Sequence, residues 1–295
     1  PTIFLLSWFS YFDDKPNTDW PEITKEAKPW TRWWWMGNDV DSIGWTYSLE
    51  EMSRAGIGGV EITPIYGVKG RENHYIDYLS PKWMNMLSFT ETEALRLGMA
   101  VDMNMGTGWP FGGPDITIED AATKAIFQQY ELKAGEILNE NIEVKEKGQK
   151  DVAYLSKLMA YSSKGDKVDI SNKVNKEGKL SWKTSSGKDC KLVALFIGKT
   201  FQKVKRAAPG GQGYVLNHFD ADAVQRYFKK FDKAFQENNV SFPHSFFNDS
   251  YEVYGADWTA DMLDQFEHRR GYKLQDYFPE LLADGATEVS ARVIS

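Results

Sequence analysis

TRWWWM (31–36), GGVEIT (58–63) and MAVDMNM (99–105) are the runs whose reading decides the fold. Each is short and nearly continuously apolar, with a charged or polar residue set into it, as expected of strands covered on both faces in a parallel sheet. The stretches between them carry helical period and helical punctuation. After the first run, Asp41 or Ser42 can cap a helix that groups Trp45, Leu49, Met52 and Ala55, with Gly56 as its stop. After the second, Ser80 caps a helix with Pro81 in its first turn, apolar positions at Trp83, Met84, Leu87, Ala94 and Leu95, and a stop at Gly98. Strand, helix, strand, helix, strand at these lengths means βα units and a parallel sheet.

Beyond the Gly- and Pro-rich loop 106–114 the texture changes. From about Leu132 to Gly198, Lys, Ser, Asn, Asp and Gly dominate around short β-like runs at 153–161 and 192–197. An inserted β-rich module is the expectation; a long surface excursion is the alternative, although so long a structureless loop is uncommon. The βα pattern resumes after Ala208-Pro209-Gly210-Gly211. Asp220 caps a helix carrying Val224, Tyr227, Phe228, Phe231 and Phe235, residues 245–248 read as a fourth strand after Pro243, and Thr259 caps a helix with Leu263 and Phe266 that Gly271 ends. The expected division is an N-terminal arm at 1–28, the first part of a (β/α) barrel at 29–131, the β-rich insert at 132–202 and the continuation of the barrel at 203–295. Four barrel-type strands are half of the eight that closure needs, so the fold class is α/β of the (β/α)₈ TIM-barrel type, incomplete in this chain.

Composition narrows the function. The 295 residues hold 42 acidic and 35 basic side chains, a formal net charge of −7, which argues against a phosphate backbone as partner. One cysteine, Cys190, excludes an internal disulfide framework and any CxxC site. Aromatic residues make up 14%, and nine of the 11 tryptophans fall within the first 109 residues. That bias suits either a large aromatic core or a platform on which sugar rings stack. Residues 3–12 (IFLLSWFSYF) are too short an apolar run to span a bilayer, and read as the tail of a signal peptide, a buried strand or an exposed arm. A signal remnant would place the protein outside the cytoplasm, secreted or periplasmic.

In a parallel α/β sheet the working residues sit just past the C-terminal ends of the strands. That rule selects Asn38, Asp39 and Asp41 after strand one, Glu61 and Tyr66 with strand two, Asp102, Asn104 and Trp109 with strand three, and Asp249 and Glu252 after strand four. The set is acidic and aromatic, with no nucleophile–base–third-residue triad. The histidines, His74, His218, His244 and His268, show no metal-ligand spacing, and Gly106-Thr107-Gly108 lacks the continuation of a phosphate cradle. Asp249-Ser250-Tyr251-Glu252 is the sharpest cluster. A carboxylic acid there, ringed by Phe246, Phe247, Tyr251, Tyr254 and Trp258, could be desolvated and kept protonated as a general acid, or could merely bind loop amides. Glu61 and Asp102, inside apolar strands, need a partner such as Arg32 and could equally position a substrate hydroxyl.

The motifs Thr31-Arg32-Trp33-Trp34-Trp35, Arg54-Ala55-Gly56-Ile57-Gly58-Gly59-Val60-Glu61 and Gly108-Trp109-Pro110-Phe111-Gly112-Gly113-Pro114 resemble glycoside hydrolase family 106, the calcium-associated α-L-rhamnosidases. So do Lys205-Arg206-Ala207-Ala208-Pro209-Gly210-Gly211, the run from Asp249 to Thr259, and Arg270-Gly271-Tyr272. The resemblance covers roughly 29–130 and 203–282. It implies a bacterial, secreted, inverting glycosidase with a (β/α)₈ catalytic domain, acting on rhamnose in plant polysaccharides or glycosides such as pectic oligosaccharides. Glu252 takes the general-acid position in that resemblance, and the general base is expected from a later strand, beyond Ser295. Asp249, Glu61, Asp102, Asn104 and Tyr66 become expected substrate contacts, and Trp33, Trp35, Trp109 and Trp258 expected stacking residues, although alternation lets only one face of the Trp33 to Trp35 run point inward. The resemblance also implies Ca²⁺, for which no EF-hand-type loop supplies ligands here. A non-catalytic carbohydrate-binding protein that keeps the aromatic cleft is the alternative function.

Overall fold

The computed structural model describes residues 19–185 and 187–283, so the apolar run 3–12 lies outside the described residues. Twelve strands, β1 (Trp30–Met36), β2 (Gly59–Ile65), β3 (Ala100–Asn104), β4 (Gly112–Gly113), β5 (Thr123–Leu132), β6 (Ile137–Asn141), β7 (Tyr154–Ser162), β8 (Lys167–Asp169), β9 (Lys179–Lys183), β10 (Cys190–Lys199), β11 (Tyr214–Val215) and β12 (Ser245–Phe247), are joined with five α-helices. The helices are α1 (Ser42–Arg54), α2 (Pro81–Arg96), α3 (Ala221–Asn238), α4 (Met262–Arg270) and α5 (Phe278–Leu281).

β1, β2, β3 and β12 pair in that order, all parallel, with α1, α2 and α3 as the intervening helices. The capping residues perform as their chemistry requires. Asp41 accepts from Gly44 N at 2.8 Å, Ser80 from Trp83 N at 3.3 Å, and Asp220 from Asp222 N and Ala223 N, both at 3.0 Å. One face of this sheet meets the helices in an aromatic core: Trp35, Val60, Ile62, Val101 and Met103 pack with Leu49, Trp83, Leu87, Tyr227 and Phe231. The other face carries Arg32, Trp34, Glu61, Asp102 and Phe247, and Trp34 is 42% exposed there. Among the described residues the parallel sheet stays open, with β1 and β12 as its edges, and no closed barrel forms.

A second sheet, antiparallel, has the order β5-β10-β7-β8, and a small ladder joins β6 to β9. The β-rich stretch read at 132–202 lies in these sheets together with Thr123–Leu132 ahead of it. β10 is its central strand and is buried on both sides. Leu192, Ala194 and Phe196 enter one cluster with Leu158, Ile170 and Leu180, while Val193, Leu195 and Ile197 enter another with Trp258, Leu263, Leu274 and Phe278. The segment after β12 thus covers the antiparallel sheet instead of the parallel sheet's helical layer. α4 also starts later than Thr259 suggests, because the Thr259 hydroxyl accepts from Asn217 Nδ2 at 3.3 Å, and Asp261 stands at the helix N-terminus. Gly271 ends it at φ 76° as expected.

Candidate active site

The register of the parallel strands sets one charged level across the open face: Arg32 pairs with Glu61, Glu61 with Asp102, and Asp102 with Ser245. Arg32 is the hub. Its Nη1 donates to Asp249 Oδ1 at 2.5 Å, its Nε lies 3.5 Å from Glu61 Oε2, and its guanidinium sits 5.4 Å from both the Trp34 and Phe247 ring centres. Asp249, only 16% exposed, therefore folds back from the loop after β12 onto the sheet. Asp102 takes a different partner from the one expected, His244 Nδ1 at 2.9 Å, whose ring leans on Trp30 at 5.2 Å. Around the strand ends, several polar atoms are buried with no hydrogen-bond partner among the described residues: Thr63 Oγ1, Asn104 Oδ1 and both side-chain atoms of Asn248. Such groups ordinarily find a partner, and Thr63 and Asn104 are fully buried, beneath the surface that a ligand would meet.

A rim stands over the same strand ends. The segment 203–206 crosses from β11 toward the loop after β2: Trp109 N donates to Lys205 O at 3.1 Å, Lys205 N returns the bond at 2.9 Å, and Tyr66 N donates to Arg206 O at 2.9 Å. Gly108 makes this possible. It adopts φ +57°, and a Cβ there would lie 2.0 Å from Lys205 O. Arg206 sits 5.3 Å from the Tyr66 ring centre and 5.5 Å from that of Trp109, with Nη1 donating to Tyr66 Oη at 2.9 Å.

Glu252 belongs to this rim. Gln202 clamps its loop, donating to Glu252 O and accepting from Tyr254 N, both at 2.7 Å. Ser250 Oγ accepts from Glu252 N at 3.1 Å, Tyr254 Oη donates to Glu252 Oε2 at 3.3 Å, and Lys205 Nζ lies 3.8 Å from the same oxygen. The aromatic enclosure expected of Glu252 does not form. Its side chain is 45% exposed, Tyr251 and Tyr254 are exposed, and Trp258 lies in the core beneath the antiparallel sheet, its carbonyl accepting from the Thr123 hydroxyl.

The structure thus brings Glu61, Asp102, Asn104, Asp249, Glu252, Tyr66 and Trp109 to one end or one face of the parallel sheet. It does not bring Trp33, Trp35 or Trp258 there. Trp33 stacks on Trp45 at 4.6 Å and Trp35 is fully buried against Trp83, both on the helix side, whereas Trp34 faces the cleft with Arg32. Sequence reasoning also left Gln202, Lys205, Arg206 and His244 without roles. The Lys205–Arg206 pair was visible as a motif, while His244 is 142 residues from Asp102 and gave no local signal. Among the described residues no group of three His, Cys, Asp or Glu side chains could hold a metal ion, so no ligands are assigned to the Ca²⁺ that the resemblance implies.

The family model described as alpha-L-rhamnosidase, glycoside hydrolase family 106, matches residues 21–155 and 145–294. A protein of Formosa agariphila named "Putative beta-glucuronidase" is 27% identical over 315 residues, which take in 92% of this chain and 26% of that protein. The solved structure of a rhamnosidase from Novosphingobium sp. PP1Y superposes with a TM-score of 0.69 at 15% identity, over 86% of this chain and 41% of that one, a likeness of fold. The chain spans about a quarter of the first protein's length and about two fifths of the second's. No helix among the described residues is long and apolar enough to cross a membrane.

Proposed function

The chain belongs to glycoside hydrolase family 106, the α-L-rhamnosidases, and from that premise we propose that it carries the acid half of an inverting rhamnosidase site. In this reading Glu252 protonates the glycosidic oxygen as the C1–O bond breaks. Water attacks the opposite face of the sugar while a second carboxylate takes the water's proton. The observation that carries the reading is the placement of Glu252: past the end of the fourth parallel strand, on a loop that Gln202 and Ser250 hold at fixed hydrogen-bond distances. Trp34 and Trp109, at the same strand ends, supply stacking faces for a sugar.

The second carboxylate is assigned to chain that the longer relatives possess. The other strand-end carboxylates are engaged elsewhere: Asp39 with Arg71 at 2.7 Å, Asp41 as the cap of α1, Glu61 and Asp249 with Arg32, Asp102 with His244. The same extra length is where a (β/α)₈ barrel would be completed along the free edges of β1 and β12. A rhamnose-bearing plant polysaccharide or glycoside, met outside the cytoplasm, is the substrate class that goes with this reading. The name of the Formosa relative agrees with it at the level of glycoside hydrolysis.

Glu252→Gln tests the acid role. The expected result is a loss in kcat/KM of about 100-fold or more on rhamnosides with poor leaving groups, and less than about tenfold on aryl rhamnosides whose leaving groups depart without protonation. Equal losses on both classes remove Glu252 from the role.

A further inference from the structure

α3 buries Ala223, Tyr227, Phe231 and Ala234 along one stripe, and Lys230 falls at the edge of that stripe, three residues after Tyr227 and four before Ala234. Its stem is drawn in with them, leaving the side chain only 16% exposed. Nζ rests 4.1 Å from the centre of the Tyr227 ring and 5.2 Å from that of Phe231. Its one carboxylate neighbour among the described residues is Asp115, at 3.9 Å, and that carboxylate is 66% exposed. The distance is too long for a hydrogen bond, so a largely buried amine holds its N–H groups without an acceptor among the described residues.

Lys230 lines a cavity of about 360 Å³, enclosed with it by Tyr78, Pro81, Thr107, Gly112 and Gly211. Glycines keep the cavity open: a Cβ at Gly113 would lie 3.3 Å from Lys230 Nζ, and one at Gly211 would lie 2.0 Å from Thr107 Oγ1. Thr107 is 3% exposed, and its hydroxyl has no hydrogen-bond partner among the described residues. The proposed hydrolysis uses neither group. Desolvation lowers the pKa of Lys230 from 10.5 to about 8, with Asp115 pulling the other way. At pH 7.5 roughly a quarter of it therefore carries a lone pair, where a lysine of ordinary pKa has about one part in a thousand.

We propose that Lys230 is a Schiff-base site for a small hydroxy-aldehyde, its amine attacking the carbonyl carbon inside this cavity and the Thr107 hydroxyl pairing with the aldehyde's own. The lone pair forms the C–N bond, the carbonyl oxygen takes a proton to give a carbinolamine, and that oxygen leaves as water when the C=N bond forms. Ammonium and aldehyde thus become iminium and water, with one positive charge before and after. The surroundings select this chemistry over acylation. An iminium keeps the cation that the two rings and Asp115 accommodate, whereas an amide would leave Asp115 without it. The proposal rests neither on Glu252 nor on cleavage of a glycoside.

Glycolaldehyde with cyanoborohydride tests it on the unaltered chain, because the added hydride turns each iminium into a stable secondary amine that peptide mass spectrometry locates. Lys233, one turn further along α3 and 71% exposed, lines the same cavity and serves as the internal standard. At pH 7.5 Lys230 is expected to react at least about tenfold faster than Lys233, since its gain in neutral amine outweighs the weaker nucleophilicity that accompanies a lower pKa. Asp115, Lys233, Glu237 and Tyr78 are the other titratable groups lining the cavity, and Tyr227 lies against the amine. The advantage should shrink as pH rises toward about 10, where ordinary lysines also lose their protons. Urea that unfolds the chain should abolish it, and an aldehyde-bearing dextran, too large for the cavity, should favour Lys233 instead. Reaction at Lys230 that is absent or no faster than at Lys233, an advantage that survives unfolding, or one that the dextran shares overturns the proposal.

Discussion

Removing the guanidinium at the centre of the charged level, as in Arg32→Met, separates two ion pairs that look similar on paper. The Arg32–Asp249 contact is short, 2.5 Å, and its carboxylate is 16% exposed; the Arg32–Glu61 contact is 3.5 Å, with the carboxylate 34% exposed. A charge-assisted hydrogen bond to a largely buried partner contributes about 1.5–3 kcal/mol, and a longer, wetter pair roughly 0–1 kcal/mol. The lost ring contacts with Trp34 and Phe247 add about 0.5–1 kcal/mol each, which the methionine partly restores by packing. The whole substitution should therefore cost about 3 kcal/mol. Urea unfolding followed by far-UV circular dichroism measures it, with an unchanged denaturant slope as the sign that the folded state is intact. Two double-mutant cycles then apportion the loss: Arg32→Met with Asp249→Asn should show a coupling of about 2 kcal/mol, and Arg32→Met with Glu61→Gln less than about 1 kcal/mol. Added salt should shrink the second coupling more than the first. Equal couplings, or a coupling to Asp249 below about 0.5 kcal/mol, would refute the assignment of Asp249 as the anchored partner.

Three further outcomes are open to measurement. Glu91 is half-buried on α2, its Oε1 without a hydrogen-bond partner among the described residues, and burial raises its pKa from 4.5 to about 7. Its folded form holds the proton more tightly than its unfolded form, so stability is full below about pH 4.5 and falls as pH rises to about 7, by roughly 1–2 kcal/mol after allowance for solvent screening. Glu91→Gln should flatten that slope in unfolding curves taken across this range, and an unaltered slope would exclude Glu91 as its source. Gly108→Ala should cost at least about 2 kcal/mol, because the new methyl meets the Lys205 carbonyl at a positive φ; a neutral substitution would mean that the rim segment shifts freely. Gln202→Ala should speed amide hydrogen exchange at Glu252 and Tyr254 with a fall of only about 1 kcal/mol in global stability, and unchanged exchange would deny the clamp.

The βαβαβ core was legible because its signals are local: a capping oxygen three residues from its amide, a glycine at the helix stop, a run of apolar residues. What stayed hidden depends on distant partners. The Trp33-Trp34-Trp35 run announces a strand and an alternation, but only the arrival of Trp45 and Trp83 on one side decides that Trp34 is the residue left facing the cleft. Thr259 looks like a helix cap until Asn217, 42 residues earlier, claims its hydroxyl. The start of the antiparallel sheet at Thr123 was missed for a related reason. β5 alternates buried and partly exposed positions and shows its identity only through pairing with β10. Strand-end logic did find the acidic cluster, since it follows from topology, yet it passed over Lys205 and Arg206, which reach the site along a connecting segment and not from a strand end.

The separation of tryptophans by the two faces of one strand gives the molecule a built-in optical division. Trp33, Trp35, Trp45 and Trp83 form a chain of indoles with ring centres 4.6 to 6.2 Å apart, close enough for their excited states to couple, and this chain lies on the helix side. Trp34 and Trp109 stand apart from it, on or above the cleft. The coupled group should dominate the near-ultraviolet dichroism and vanish cooperatively with the fold, whereas an occupant of the cleft should change the emission of Trp34 and Trp109 and leave that dichroism in place. Dichroism thus reports integrity and emission reports occupancy, without any label being introduced.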